Sequence, residues 1–260
     1  MNWKKVRGWL LLLLICADLF LAGNIARQVI QMRTVEHTAL EDAAAVAQKR
    51  GIQLDPETVF AMPRRQTAYF AERNSAQERT IAQTLLGSVT AEEPGGGVCI
   101  YQTELGQISF RRGGAIEWTL RKEPEQENLR AFLEETGLPV SGAREQSGEE
   151  DLLVQSFRGR PIYNCCLSCT KQNGNLQLRG RWLLGEGQPQ KQEIRSRAQM
   201  LMALCDVMER LALCRVDALE DGYYLQSEDL DTIRLEPVWA AETEGGTVLV
   251  SCLTGEQLLF

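Results

Sequence analysis

Nineteen residues, Gly8 to Ala26, lie between Arg7 and Arg27 and hold a single charged side chain, Asp18. Leu10 to Leu14, Ile15, Leu19, Phe20, Leu21 and Ile25 make the run strongly apolar. At about 1.5 Å rise per residue, a helix of this length comes close to the ~30 Å hydrocarbon core of a bilayer. Lys4, Lys5 and Arg7 precede it, so the positive-inside bias predicts a cytoplasmic N-terminus and an extracytoplasmic remainder. Three readings compete. A cleaved signal peptide has only Ala22-Gly23-Asn24 as a cleavage site, and the apolar run continues past it. A lipoprotein modified at Cys16 would need a small residue where Ile15 stands. An uncleaved signal anchor fits best, and with no second long apolar run the chain is expected to be single-pass in the cell membrane.

Asp18 carries the sharpest meaning in this segment. A mid-span carboxylate costs roughly 2.5–3.5 kcal/mol, which about ten Leu, Ile and Phe residues at roughly −0.3 to −0.6 each offset with a modest margin. Such a group usually faces protein or water. Asp18 is therefore a candidate contact with another transmembrane protein; the competing reading is a tolerated Asp in a plain anchor.

The charge balance narrows the functions open to the rest. With 28 Lys and Arg against 35 Asp and Glu, the 260-residue chain carries a net charge of −7, a poor match to phosphate-backbone binding, so no nucleic-acid partner is expected. One histidine, His37, leaves a Ser-His-Asp or Cys-His site a single possible base and excludes multi-His metal sites. His37 falls on a stalk helix, where a solvated role is expected.

Beyond the span the helical pattern runs to Arg50, with Val35, Leu40, Ala43, Ala44 and Ala47 recurring and Gly51 as a C-cap. Asp55-Pro56 and Met62-Pro63 read as loop, Ser75 to Leu86 as helix, and Glu92 to Gly97 as a linker or long turn. Strands are predicted over Val98 to Thr103, Gln107 to Arg111 and Ala115 to Leu120, a helix over Glu125 to Glu135, and an exposed polar loop over Ser141 to Glu150. Leu152 to Phe157, Ile162 to Thr170 and Leu176 to Leu184 are strands, the last two joined through an Asn173-Gly174 hairpin turn. Ile194, Ala198, Leu201, Cys205, Met208 and Ala212 alternate steps of four and three, one face of an amphipathic helix. Arg215 to Leu225, Thr232 to Ala241 and Thr247 to Cys252 close the chain as strands.

The order is a helix and three strands, three times. It predicts an α+β class of antiparallel sheets with packed helices. βαβ alternation and a glycine-rich phosphate loop are both missing. Three parts are expected: residues 1–31 (cytoplasmic tip and transmembrane helix), 32–123 (stalk helix and membrane-proximal part) and 124–260 (membrane-distal part), the last two separate or forming one continuous domain.

Cys165, Cys166 and Cys169 resemble a thiol or metal motif, but in a strand Cys165 and Cys169 share a face about 13 Å apart and Cys166 points the other way, too far for one ion. Small core residues are the favoured reading, for Cys205 as well. The acid-rich Glu145 to Asp151 lacks the spacing of a calcium loop. No catalytic, cofactor or metal residue is expected. Trp239, two residues after Pro237, has two readings: an edge or bulged strand that offers the indole to a partner, making Trp239 a second candidate contact, or a core position.

Several short motifs occur in a telling order: Met1-Asn2-Trp3-Lys4-Lys5-Val6, Asp18-Leu19-Phe20-Leu21, Gln48-Lys49-Arg50-Gly51, Gly159-Arg160-Pro161-Ile162-Tyr163-Asn164, Gly180-Arg181-Trp182, Gly222-Tyr223-Tyr224, Leu235-Glu236-Pro237-Val238-Trp239 and Thr254-Gly255-Glu256. Together they resemble the YycI family of membrane-anchored regulators, related to YycH. The Pro-Val-Trp strand and closing Thr-Gly-Glu turn also resemble PepSY modules. The resemblance implies a single span, an extracytoplasmic α+β domain, no catalysis and no cofactor. It implies as partner the WalK/YycG-type sensor histidine kinase of a cell-wall two-component system, with a second YycH-like accessory protein as a further partner. An extracytoplasmic inhibitor or chaperone of a peptidase is the alternative, and a thiol or metal protein using the Cys165–Cys169 strand a remote one.

Overall fold

The computed structural model describes residues 3–63, 66–121, 129–140, 144–146, 151–172, 174–228 and 232–259. The elements are α1 (Trp3–Lys49), α2 (Pro56–Ala61), β1 (Ala68–Glu72), α3 (Ser75–Leu86), β2 (Ala91–Gly95), β3 (Val98–Thr103), β4 (Gly106–Arg111), β5 (Ala115–Leu120), α4 (Leu129–Glu135), β6 (Arg144–Gln146), β7 (Asp151–Phe157), β8 (Arg160–Gln172), β9 (Asn175–Arg181), β10 (Gln188–Gln190), α5 (Arg197–Leu211), β11 (Val216–Ser227), β12 (Thr232–Thr243), β13 (Gly246–Ser251) and β14 (Gln257–Leu258). This is the expected α+β class, with an amended rhythm. Each of α3, α4 and α5 is followed by four strands or more, because Glu92 to Gly97 holds β2, the polar stretch 141–150 holds β6 and Gln257–Leu258 adds β14; the rest of the polar stretch, residues 125–128 of the expected Glu125 to Glu135 helix and Asn173 lie outside the described residues.

The strands order as β10-β1-β12-β11-β8-β9-β5-β4-β3-β2, with β13 and β14 beside β12 and β6 and β7 beside β8. The register shows two antiparallel sheets. They meet where β8 runs parallel to β11 through one pair, Tyr223 and Ile162. At that seam a Cβ on Gly222 would lie 2.5 Å from the Tyr163 ring and 2.7 Å from the Pro161 carbonyl, so only glycine admits the approach. β1 and β5, from before residue 123, pair with β12 and β9, from after it, and α1 runs unbroken across residue 31.

Two misread segments have local causes. Asp55-Pro56 starts a helix: the Asp55 carboxylate accepts from the Glu57 N–H and Pro56 fills the first turn, where its missing N–H costs nothing. β2 is an edge strand whose Glu92, Glu93 and Pro94 discourage further pairing.

α5 opens on a capping box in which Ser196 accepts from the Gln199 N–H and Gln199 accepts from the Ser196 N–H. The expected face, Leu201, Cys205 and Met208, is buried, and so is a second face with Met200, Leu204 and Val207. The reason is a third layer. α5 packs between α1 and the sheet, in a core shared with α2, β11, β12 and β13. A second core holds α3 and α4 against β3, β4, β5, β8 and β9.

A turn after α5 is fixed by one exposed carboxylate. Glu244 accepts from the Cys214 N–H at 2.7 Å and the Arg215 N–H at 3.1 Å. These donors, Cys214 first, hold its pKa down to about 2 from an ordinary 4.5. A carboxyl that folding makes more acidic stabilises the fold above its unfolded pKa and loses that contribution as pH falls towards the folded one. Glu244→Gln should therefore flatten the fall in unfolding temperature between pH 4.5 and about 2, measured by thermal melts of both proteins. Parallel curves for the two would exclude this account.

Candidate partner-binding surface

Within Leu13–Lys49 lies a window of mean hydropathy 1.6 with none of it buried, so α1 is long and apolar enough to cross a membrane. Trp9, Leu13, Leu19, Phe20 and Ile25 are all more than half exposed. Asp18 sits on this exposed stretch. It is not brought near the other candidate contact.

Leu40, Ala43 and Ala47 turn the same helix into a docked one, buried against α5. Their spacing of three and four, with two alanines, permits close approach of the axes. Val35 is off that face and 69% exposed, a correction to the expected stripe. Ion pairs fasten both ends of the docked segment. At its start the buried Arg197 guanidinium donates to Glu36 at 3.0 Å and to the Phe60 carbonyl at 2.9 Å. At its end Arg50 donates to Asp206 at 2.7 Å. His37 is exposed beside them and stacks on Phe60 with centroids 5.0 Å apart.

Trp239 is 1% exposed and belongs to the α1–α5 core, so the structure corrects its placement as a contact surface. Pro237 has a different use from the expected edge. β12 pairs with β1 over Thr232–Leu235 and with β13 over Val238–Thr243, and Pro237 occupies the gap between those two neighbours, where no ladder N–H is needed. Beyond it Trp239 sits between β11 and β13, opposite Asp221 and Val250, in the middle of the sheet.

No pattern in the sequence singles out Glu236. It is 1% exposed, accepts from the Ser251 hydroxyl and lies 3.7 Å from the Arg234 guanidinium. Ser251 Oγ in turn accepts from the Leu253 and Thr254 N–H groups at 3.1 and 3.0 Å, so the Glu236-Pro237-Val238-Trp239 strand and the Thr254-Gly255-Glu256 turn are tied into one structural unit.

Among the described residues no two cysteines form a disulfide. Cys165 and Cys169 lie in two different cores, and Cys166 is half-buried. Burial pushes the Cys165 thiol up, and that of Cys205 to about 11, which opposes thiolate formation at neutral pH. Among the described residues no three His, Cys, Asp or Glu side chains gather as a metal site.

No family model matches this chain, and no curated protein does. Among solved structures it is similar to an uncharacterized protein from Eubacterium rectale, at 10% identity and TM-score 0.43, over 75% of this chain and 86% of that one. It is also similar to the C-terminal domain of Bacillus megaterium YpeB, at 12% identity and TM-score 0.35, over 73% of this chain and 99% of that domain.

Proposed function

We propose that this chain is a single-pass, membrane-anchored, non-catalytic accessory protein that modulates a sensor histidine kinase in the same membrane, its folded domain lying outside the cytoplasm. The observation that carries the reading is the continuity of α1: one 47-residue helix is bare and apolar at one end and clamped by two ion pairs into a folded core at the other. Such a helix moves with its domain. A partner that grips both the span and the domain can be biased between two states, provided it binds them with different free energy. The kinase as partner rests on the resemblance to YycI.

Asp18 is the natural polar contact within the span. Interhelical polar contacts in membranes are worth about 1–2 kcal/mol. Asp18→Leu should therefore leave membrane insertion intact, since it removes the costliest residue of the span, and weaken co-purification with the kinase about 5- to 30-fold. Unchanged co-purification and unchanged signalling output would remove Asp18 from the mechanism. Recovery of a peptidase in place of a kinase would replace the proposal.

A further inference from the structure

From the end of the span onward, α1 keeps an apolar line that its own domain leaves open. Ile25, Met32, Ala39 and Val46 recur every seven residues, with Val35 between them. All are exposed; Met32 is 71% and Val35 69% exposed. Ala26 ends the apolar run, and at ~1.5 Å per residue Val35 stands about 14 Å and Val46 about 30 Å beyond it, clear of the hydrocarbon. Lipid cannot cover them. At its far end the line enters a groove of about 570 Å³ between α1 and α5, with Ala39, Val46, Ala198 and Met202 on its apolar walls, Asp42 and Asp206 on its rim, and Arg195, which donates to the Thr254 carbonyl, at its side.

The geometry points to one occupant: a helix of a different membrane protein that leaves the bilayer beside α1, runs parallel to it and ends in the α1–α5 groove. This deepens, and rests on, the reading of the chain as anchored beside a membrane partner. A seven-residue apolar repeat is the pattern that lets two helices stay in contact over several turns. A cover for Met32 and Val35 in line with the span has to emerge from the same membrane at the same place. The charges select against a second copy. Asp42, three residues past Ala39, is exposed and has no hydrogen bond or ion pair among the described residues, while Asp206 on the same rim is already held by Arg50. Asp18, fourteen residues before Met32, continues the repeat into the span. Two copies embedded in one membrane run parallel, so a symmetric pair would oppose Asp42 to Asp42 and Asp18 to Asp18. A foreign helix with apolar residues at this repeat and a Lys or Arg at the level of Asp42 satisfies both features.

The test is photo-crosslinking of the full chain in membranes that contain its partners. A benzophenone amino acid is placed at Val35 or Val46 on the line, and at Glu41 or Gln48 on the opposite side of α1 as control. The expected adducts from Val35 and Val46 map by mass spectrometry to one other membrane protein, within about 30 residues outside one of its spans. Asp42→Lys should lower the Val46 yield about fivefold. Ala39→Trp, at an exposed position, should abolish that yield while leaving the unfolding temperature unchanged. Adducts between two copies of this chain, adducts to a segment with no adjoining span, or equal yields from the control positions would overturn the inference. The kinase reading is judged separately. If Asp18→Leu releases the kinase while Val35 and Val46 yield no adduct, the groove falls and the kinase stands; if the adduct forms on a protein that is not a kinase, the reverse holds.

Discussion

Trp239→Ala should lower the unfolding temperature of the full chain by about 10 °C. Truncating a buried Trp costs about 3–5 kcal/mol, from lost transfer energy and from the cavity left behind, and in a chain of this size each kcal/mol is worth about 2–4 °C. The effect is expected to be at the large end because of where the indole lies. It fills the layer between the sheet and α5, and α1 is docked on the other side of α5, so collapse onto the cavity would have to move two helices at once. Loss of activity in this variant would then follow from loss of the fold, with α1 released from its seat. Thermal melts followed by circular dichroism decide the matter. A melt close to wild type combined with lost partner binding would restore the indole as a contact.

The contrast between Trp239 and Asp18 shows what the sequence could carry. Where a signal is local and periodic it was readable: the α5 face, the Gly51 cap and the apolar run before Arg27. Where neighbours in the sheet are distant in sequence it was not. Pro237 beside Trp239 suggests an edge when read alone, and only the hand-over from β1 to β13 along β12 reveals a central strand. β1 went unseen because a five-residue segment between turn-like residues becomes a strand through β12, more than 150 residues away. Val35 joined the stalk stripe by residue type, yet its angular position puts it on the open line and not on the docked face. Of the candidate surface, Asp18 is visible in the sequence as the one charge within the apolar run, while the groove needed α5 placed against α1.

The seam between the two sheets should be a sensitive part of the fold, and two side-chain amides help hold it: Asn164 across β8 and β11, and Gln155 on the segment that leads from β9 to β10. β8 and β11 share one backbone pair, which leaves strand groups on both sides without a ladder partner. Gln155 sits at the register shift of β7, where a bulge turns its side chain out of the regular alternation. Its amide donates to the Leu183 carbonyl at 2.8 Å and accepts from the Leu183 N–H at 2.7 Å, as a strand backbone would. Asn164 does the same for Leu225, at 2.8 Å in each direction. Gln155→Leu orphans a buried donor and a buried acceptor together, at about 1–3 kcal/mol each, and Asn164→Leu orphans another pair. Either variant should destabilise by about 4 kcal/mol. The double variant should do more than add the two losses, because the contacts that then still join the sheets are the Tyr223–Ile162 pair, the Arg160–Asp221 ion pair, the Arg158–Tyr69 and Arg181–Leu225 hydrogen bonds and the small core around Tyr223. Each sheet keeps its own helices and its own core, so calorimetry of the double variant is expected to resolve two transitions where the wild type shows one. A single sharp transition near the wild-type temperature would mean that the apolar contacts of Tyr69, Leu183 and Leu225 hold the seam by themselves and that the amides only fix its register.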